Sequence, residues 1–157
     1  MIENLKNKTA VILSTWFGVG LIPFAPGTFG SFFALPFAFA ILKYSNWLFL
    51  LGAAVLIFFI GIKTASIYEK ILAKKDPKQV VIDEVLGQWL ALLPASLDPL
   101  SFAIGFALFR FFDISKIWPA SWADKELGGG LGIMLDDLIA GVYSAAILFS
   151  LKYFAVI

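Results

Sequence analysis

The chain has 157 residues, of which 61% are hydrophobic and only 15% are charged, and its formal net charge is +1. A soluble domain of this length cannot cover so much apolar surface, so the composition indicates an integral membrane protein. The small net charge argues against a nucleic-acid-binding protein, which needs a basic face. The length predicts one domain, residues 1–157.

The sequence contains no cysteine and no histidine. This excludes disulfides, thiolate nucleophiles, histidine general bases and zinc sites built from these side chains. Carboxylates are then the main candidate metal ligands, and they favour a hard divalent ion such as Mg²⁺.

The N-terminal part of the chain predicts a helix that is too short to cross a bilayer. Residues 10–22 are apolar, but a spanning helix takes about 20 residues, so we interpret this segment as an interfacial or re-entrant helix. Residues 23–31 read PFAPGTFGS, a composition that predicts a loop rather than a regular helix. Thr28 and Ser31 either cap the helix that follows or line a site, and this segment alone leaves both interpretations open.

Five further apolar segments predict spanning helices. Each is short for a bilayer core, so the charged turns between them have to lie at membrane depth, buried in protein. We therefore predict an all-α, polytopic membrane helix bundle with about five spanning helices and a short polar connector at residues 121–127. The predicted spans are residues 29–42, 46–62, 80–97, 100–112 and 133–153.

A lysine-rich segment, residues 63–78, predicts the orientation of the chain. The positive-inside rule places this segment in the cytoplasm. When crossings are counted from it, every unusual polar motif falls at the cytoplasmic end of the bundle. The predicted group contains five acids, two cations and two glycine-containing loops: Asp83, Glu84, Asp113, Asp136, Asp137, Arg110, Lys116, and residues 23–31 and 128–132.

Two acidic pairs stand at the starts of apolar helices. Asp136 and Asp137 follow the glycine-rich run 128–132, whose bare amides suit an anion, while the carboxylates suit a metal ion. The alternative is a glycine turn followed by acids that favour the helix dipole. Asp83 and Glu84 form a similar pair in the segment 80–97.

Glycines follow these acids at a regular distance. Gly87 lies four residues after Asp83, and Gly141 lies four residues after Asp137. Small residues allow membrane helices to pack closely, so these two helices are predicted to bring their carboxylates to a shared cation. Ordinary glycine-mediated packing without a metal is the alternative.

Arg110, Asp113 and Lys116 are spaced three apart and so share one helix face. Arginine binds phosphate oxygens bidentately, but a structural ion pair between Arg110 and Asp113 is the alternative. Metal-binding acids beside phosphate-binding cations, opening onto lipid, are what a phosphotransfer or phosphate-hydrolysing enzyme acting on a phospholipid requires.

Four motifs of the chain resemble those of the phosphatidylglycerophosphatase A family of bacterial membrane phosphatases. The resemblance implies Mg²⁺-dependent removal of the terminal phosphate of phosphatidylglycerophosphate at the inner membrane. One departure is Ile117, where the family usually has proline, and it concerns the turn more than the chemistry. The motifs are PFAPGTFGS (23–31), DEVLGQW (83–89), FRFFDISKIWP (109–119) and GGLGIMLDDLIAG (129–141).

Roles for individual residues are hypotheses at this point. Asp113 is a further metal ligand, a general base or a phosphate-accepting nucleophile, and the sequence does not choose among these. The predicted metal ligands are Asp83, Glu84, Asp136 and Asp137; the catalytic residues are Asp83, Asp113, Asp137, Arg110 and Lys116; and the substrate-binding residues are Gly27, Thr28, Ser31, Arg110, Lys116 and Gly129.

The main rival hypothesis is an ion-coupled transporter or channel. It predicts carboxylates distributed across membrane depth, whereas the predicted acids gather at one end. A phosphotransferase of the CDP-alcohol type lacks its motif here, and a scaffold protein leaves the clustered charge unexplained.

Overall fold

The computed structural model of the chain describes residues 2–155, with side chains from residue 4 onward. Within these residues the fold is all-helical, with seven α-helices, one 3-10 turn at Val19–Leu21 and no strand. The prediction of an all-α fold is confirmed. The helices are α1 (Ile2–Ser14), α2 (Pro26–Tyr44), α3 (Trp47–Leu72), α4 (Ile82–Ala91), α5 (Pro99–Ser115), α6 (Ala120–Glu126) and α7 (Gly129–Tyr153).

Three of these helices, α2, α3 and α7, are long and apolar enough to cross a membrane. α5 has 17 residues, and α4 has ten, which give α4 a length of about 15 Å. A bilayer core is about 30 Å thick, so α4 does not reach across it. The predicted count of about five spanning helices therefore stays a prediction, and the predicted span 80–97 is a short helix followed by a turn.

The beginnings of two predicted helices were wrong. The N-terminal helix occupies Ile2–Ser14 rather than residues 10–22. α2 begins at Pro26, inside the segment predicted to be a loop, because proline fits the first turn of a helix, where no N–H partner is needed. Much of the lysine-rich segment is also helical, since α3 continues to Leu72.

α4 is the centre of the bundle. It contacts α2, α3, α5 and α7, and all of its residues except Asp83 and Glu84 are buried. The indole N–H of Trp89 donates to the Ala34 carbonyl oxygen at 3.0 Å, which ties α4 to α2. Because the rest of α4 is enclosed, its two acids are held at a fixed place at the start of the helix.

α4 and α7 pack backbone to backbone, as their glycines predicted. A Cβ on Gly141 would lie 2.5 Å from the Gly87 carbonyl oxygen, and one on Gly87 would lie 2.7 Å from the Asp137 carbonyl oxygen. A side chain at either position therefore forces the helices apart. The same crossing sets the separation between the acids of α4 and those of α7.

Gly141→Ala is expected to lower the thermal unfolding midpoint of the detergent-solubilised protein, because overpacking at a tight contact costs about 1–3 kcal/mol. Gly52→Ala is the matched control, since a Cβ on Gly52 of α3 meets no atom within 4 Å. We expect no loss of stability in this control. Equal unfolding midpoints for Gly141→Ala and the unsubstituted protein would contradict the close crossing.

Candidate active site

A polar pocket of about 220 Å³ lies at one end of the bundle. The start of α2, the start of α4, the end of α5, the loop 73–81 and the second turn of α7 all contribute to it. The structure thus brings the five predicted acids and the two predicted cations to one pocket. The pocket is lined by Pro26, Gly27, Asp76, Lys78, Val80, Asp83, Glu84, Arg110, Asp113, Lys116, Asp136 and Asp137.

Arg110 joins three elements around the pocket. Its Nη1 donates to Glu84 of α4 and to the Ser31 hydroxyl of α2 at 3.3 Å, and it forms an ion pair with Asp113 Oδ2 at 2.7 Å. The charged partners are largely shielded, with side-chain exposures of 15% for Arg110, 12% for Glu84 and 11% for Asp113. The ion pair considered as an alternative for Arg110 and Asp113 therefore exists, but as part of a larger network.

Lys116 forms a second set of ion pairs at the pocket. It ends α5 in the left-handed conformation, with φ of 46°, and its ammonium binds Asp136 and lies 3.5 Å from Asp124 Oδ1. Burial alone lowers the pKa of Lys116, but the Asp136 carboxylate outweighs that effect and the pKa is raised above its ordinary value. Lys116 is therefore a cation at physiological pH.

Three carboxylates come close enough to share one metal ion. Glu84, Asp113 and Asp137 each offer one carboxylate oxygen, and these three oxygens lie within 4.8 Å of one another. Asp137 is only 3% exposed, yet among the side chains that the structure describes it has no cation within 4.0 Å. A buried carboxylate without a counter-charge is costly, so this oxygen-only donor set fits a hard divalent ion.

The predicted metal ligands divide into two groups. Glu84 and Asp137 belong to the three-carboxylate cluster, together with Asp113, whose role the sequence left open. Asp83 and Asp136 line the pocket outside that cluster, and each accepts a hydrogen bond from the amide of the next residue at 3.0 Å. Asp136 is also paired with Lys116, whereas Asp83 has no ion pair among the described side chains.

The predicted substrate-binding residues of α2 do not all reach the pocket. Gly27 lines it, and a Cβ there would overlap the Glu84 carboxylate. The Ser31 hydroxyl is fully buried, and its one proton can be donated either to Glu84 Oε2 at 3.1 Å or to the Gly27 carbonyl oxygen at 3.0 Å. Thr28 is partly buried in the first turn of α2 and is not among the described residues that line the pocket.

Gly129 is also away from the pocket. It has a left-handed φ of 68° at the start of α7, where a Cβ would lie 3.5 Å from the Ser66 hydroxyl of α3. The neighbouring amide of Gly130 donates to the same hydroxyl at 2.8 Å. The glycine run therefore packs α7 against α3 in this structure.

Three charged residues at the site were missed by the sequence analysis as site residues. Asp76 and Lys78 line the pocket from the loop 73–81, and Asp124 of α6 approaches Lys116. The sequence offered one signal, since Asp76 is one of only two acids in the lysine-rich segment 63–78, the other being Glu69. Asp124 carried no signal, because its place depends on how the short α6 folds back against α7.

The fold and the pocket define a class, namely helical membrane proteins with an acidic pocket at one end of the bundle. The sequence profile of the family described as phosphatidylglycerophosphatase A matches residues 12–152. The chain therefore belongs to the phosphatidylglycerophosphatase A family and is a phosphatase.

Individual relatives agree with this family. Phosphatidylglycerophosphatase A of Escherichia coli is 37% identical over 88% of this chain and 80% of its own length. The Haemophilus influenzae protein of the same name is 34% identical over 90% of this chain and 88% of its own. A Bacteroides thetaiotaomicron protein with the provisional name phosphatidylinositol-3-phosphatase is 39% identical over 85% of this chain and 87% of its own. No solved structure matches the chain significantly.

Proposed function

We propose that this protein removes the terminal phosphate of phosphatidylglycerophosphate, giving phosphatidylglycerol and inorganic phosphate, in a Mg²⁺-dependent reaction at the cytoplasmic face of a bacterial inner membrane. The family membership and the names of two relatives support the substrate. The observation that carries the proposal is the pocket itself, in which six carboxylates and three cations line about 220 Å³ at one end of a membrane bundle.

Glu84, Asp113 and Asp137 are the side chains that would hold Mg²⁺, directly or through water. A bound Mg²⁺ would neutralise phosphate charge and lower the pKa of a water molecule bound to it. Asp83 and Asp136 line the same pocket and complete the acidic environment. This assignment makes Asp113 a ligand, which is the one of its three possible roles that its place in the cluster supports.

The cations of the pocket would bind the phosphomonoester. Arg110 has a planar guanidinium suited to two phosphate oxygens, and its Nε is buried without a partner among the described residues. Lys116 offers a protonated ammonium that Asp136 holds in place. Ser31 orients Arg110 through its hydroxyl, so it positions the arginine rather than reacting itself.

The orientation is supported by the lysines around the pocket. The segment 63–78 contains the end of α3 and part of the loop 73–81. Lys78 therefore belongs both to the lysine-rich segment and to the lining of the pocket. By the positive-inside rule, a lysine-rich segment at this end of the bundle supports a cytoplasmic location for the pocket.

The purified protein in detergent is expected to release phosphate from phosphatidylglycerophosphate with Mg²⁺ and to lose this activity in EDTA. Phosphatidylinositol 3-phosphate belongs in the same assay, because one relative carries that activity in its provisional name. Restoration by Mg²⁺ after chelation separates metal loss from unfolding. Well-folded protein that releases no phosphate from either lipid with any divalent ion would contradict the proposal and favour the transporter hypothesis.

A further inference from the structure

An apolar groove lies between α2 and α5 on the surface of the bundle. Its volume is about 370 Å³, which falls in the range of small-molecule sites. Phe32 and Phe39 are 53% and 40% exposed, so the groove opens on the outer surface of the bundle. The groove is lined by Phe32, Leu35, Pro36 and Phe39 of α2, by Phe102 of α5, and by the turn Leu97, Asp98 and Pro99.

The groove and the polar pocket share no lining residue, but they are neighbours along α2. α2 and α5 are joined at the pocket by the hydrogen bond between Ser31 and Arg110, and the next residue along α2, Phe32, lines the groove. Phe32 also packs edge-on against Phe106 of α5, one turn from Arg110. A lipid whose phosphate lies at Arg110 would therefore pass the contact between Phe32 and Phe106 before its acyl chain reaches the groove.

The turn before α5 lines the far end of the groove. The one charged side chain of the lining, Asp98, accepts hydrogen bonds from the Ser101 amide at 2.9 Å and the Ser101 hydroxyl at 2.7 Å. Its carboxylate is thus used within the turn. Phe39, near this end, lies about 12 Å along α2 from Ser31.

We propose that this groove holds an acyl chain of the lipid phosphomonoester whose phosphate occupies the pocket. The proposal rests on the proposed function, which it deepens by assigning the part of the substrate that the polar pocket cannot bind. A phosphate site alone does not distinguish a lipid from a soluble phosphomonoester, whereas an adjoining apolar groove selects the lipid. The larger cavity at the opposite end, which Lys152 and Trp47 line, is not adjacent to the phosphate-binding residues.

The first test narrows the groove. Leu35→Trp is expected to raise the KM for diacyl phosphatidylglycerophosphate by at least about 10-fold, because filling an apolar subsite removes binding of that size, while kcat changes little. Leu56→Trp is the matched control, since Leu56 is 61% exposed on α3 and lines neither the groove nor the pocket. Both variants should unfold at temperatures close to that of the unsubstituted protein.

The second test detects lipid bound in the groove directly and does not depend on catalysis. A diacyl phosphatidylglycerophosphate that carries a diazirine in one acyl chain is expected to label peptides of α2 and α5 in the unsubstituted protein. Excess unlabelled substrate should compete with this labelling, and Leu35→Trp should abolish it. Because the chain contains no cysteine, a single Leu35→Cys variant can be modified selectively with a thiol reagent. The attached group would fill the groove and so provide an independent check.

The outcomes separate this inference from the proposed function. Normal phosphate release with an unchanged KM in Leu35→Trp, or uncompeted labelling spread over α3 and α7, overturns the groove and leaves the function standing. Competed labelling of α2 and α5 in a protein that releases no phosphate supports the groove as a lipid site and overturns the proposed reaction.

Discussion

Asp137→Asn is expected to reduce phosphate release by at least about 100-fold, because losing a metal ligand removes several kcal/mol of charge stabilisation in the transition state. Asp137 is the carboxylate of the three-acid cluster that has no cationic partner among the described side chains. The amide has nearly the shape of the carboxylate, so the fold should survive the change. Phosphate release and thermal unfolding of the same preparation are the measurements.

Glu126→Gln is the matched control for this substitution. Glu126 is exposed at the end of α6 and lines neither the polar pocket nor the apolar groove. Activity should therefore be unchanged in this variant. Near-normal turnover in Asp137→Asn, in protein shown to bind Mg²⁺, would remove the three-carboxylate cluster from the reaction.

Arg110→Ala is expected to lower both activity and stability. The substitution leaves Glu84 and Asp113 without their shared cation, and breaking a buried ion pair in this way costs about 3–5 kcal/mol. Activity should fall by at least about 100-fold, because the phosphate also loses a charged donor worth about 1.5–3 kcal/mol per hydrogen bond. Denaturant unfolding in detergent with EDTA isolates the stability effect from that of bound metal.

A second variant separates the two roles of this arginine. Glu84→Gln combined with Arg110→Ala removes one of the stranded charges, so part of the lost stability should return while activity stays low. If Arg110→Ala unfolds at the same denaturant concentration as the unsubstituted protein, the ion-pair network does not stabilise the fold. If it keeps normal activity, Arg110 does not bind the phosphate.

The grouping of the polar motifs was predictable from the sequence, because charged side chains in an apolar membrane bundle either pair with one another or lie at its ends. Counting crossings from the lysine-rich segment put Asp83, Arg110 and Asp137 at one end, and the structure places them in one pocket. The spacing of Gly87 and Gly141 likewise predicted the close crossing of α4 and α7. These inferences needed only helical periodicity and the requirement that buried charges be compensated.

Other features depended on tertiary packing that the sequence does not display. The apolar run 80–97 has the same composition whether it spans a bilayer or folds as a ten-residue buried helix and a turn, and only its enclosure by α2, α3, α5 and α7 decides. Pro26 resembled a loop residue but opens α2. Asp124 reaches Lys116 only because α6 returns along α7.

Biosynthesis reaches α4 before it reaches α7. When α4 has been made, the ribosome has not yet supplied the helix whose Gly141 fits against Gly87, and a ten-residue segment that starts with two acids is too short to settle across a bilayer alone. The acids of α4 therefore gain their final surroundings only after the last helix has inserted. A chain that stops before residue 129 lacks Asp136 and Asp137, so an incompletely made protein carries no complete site in the membrane.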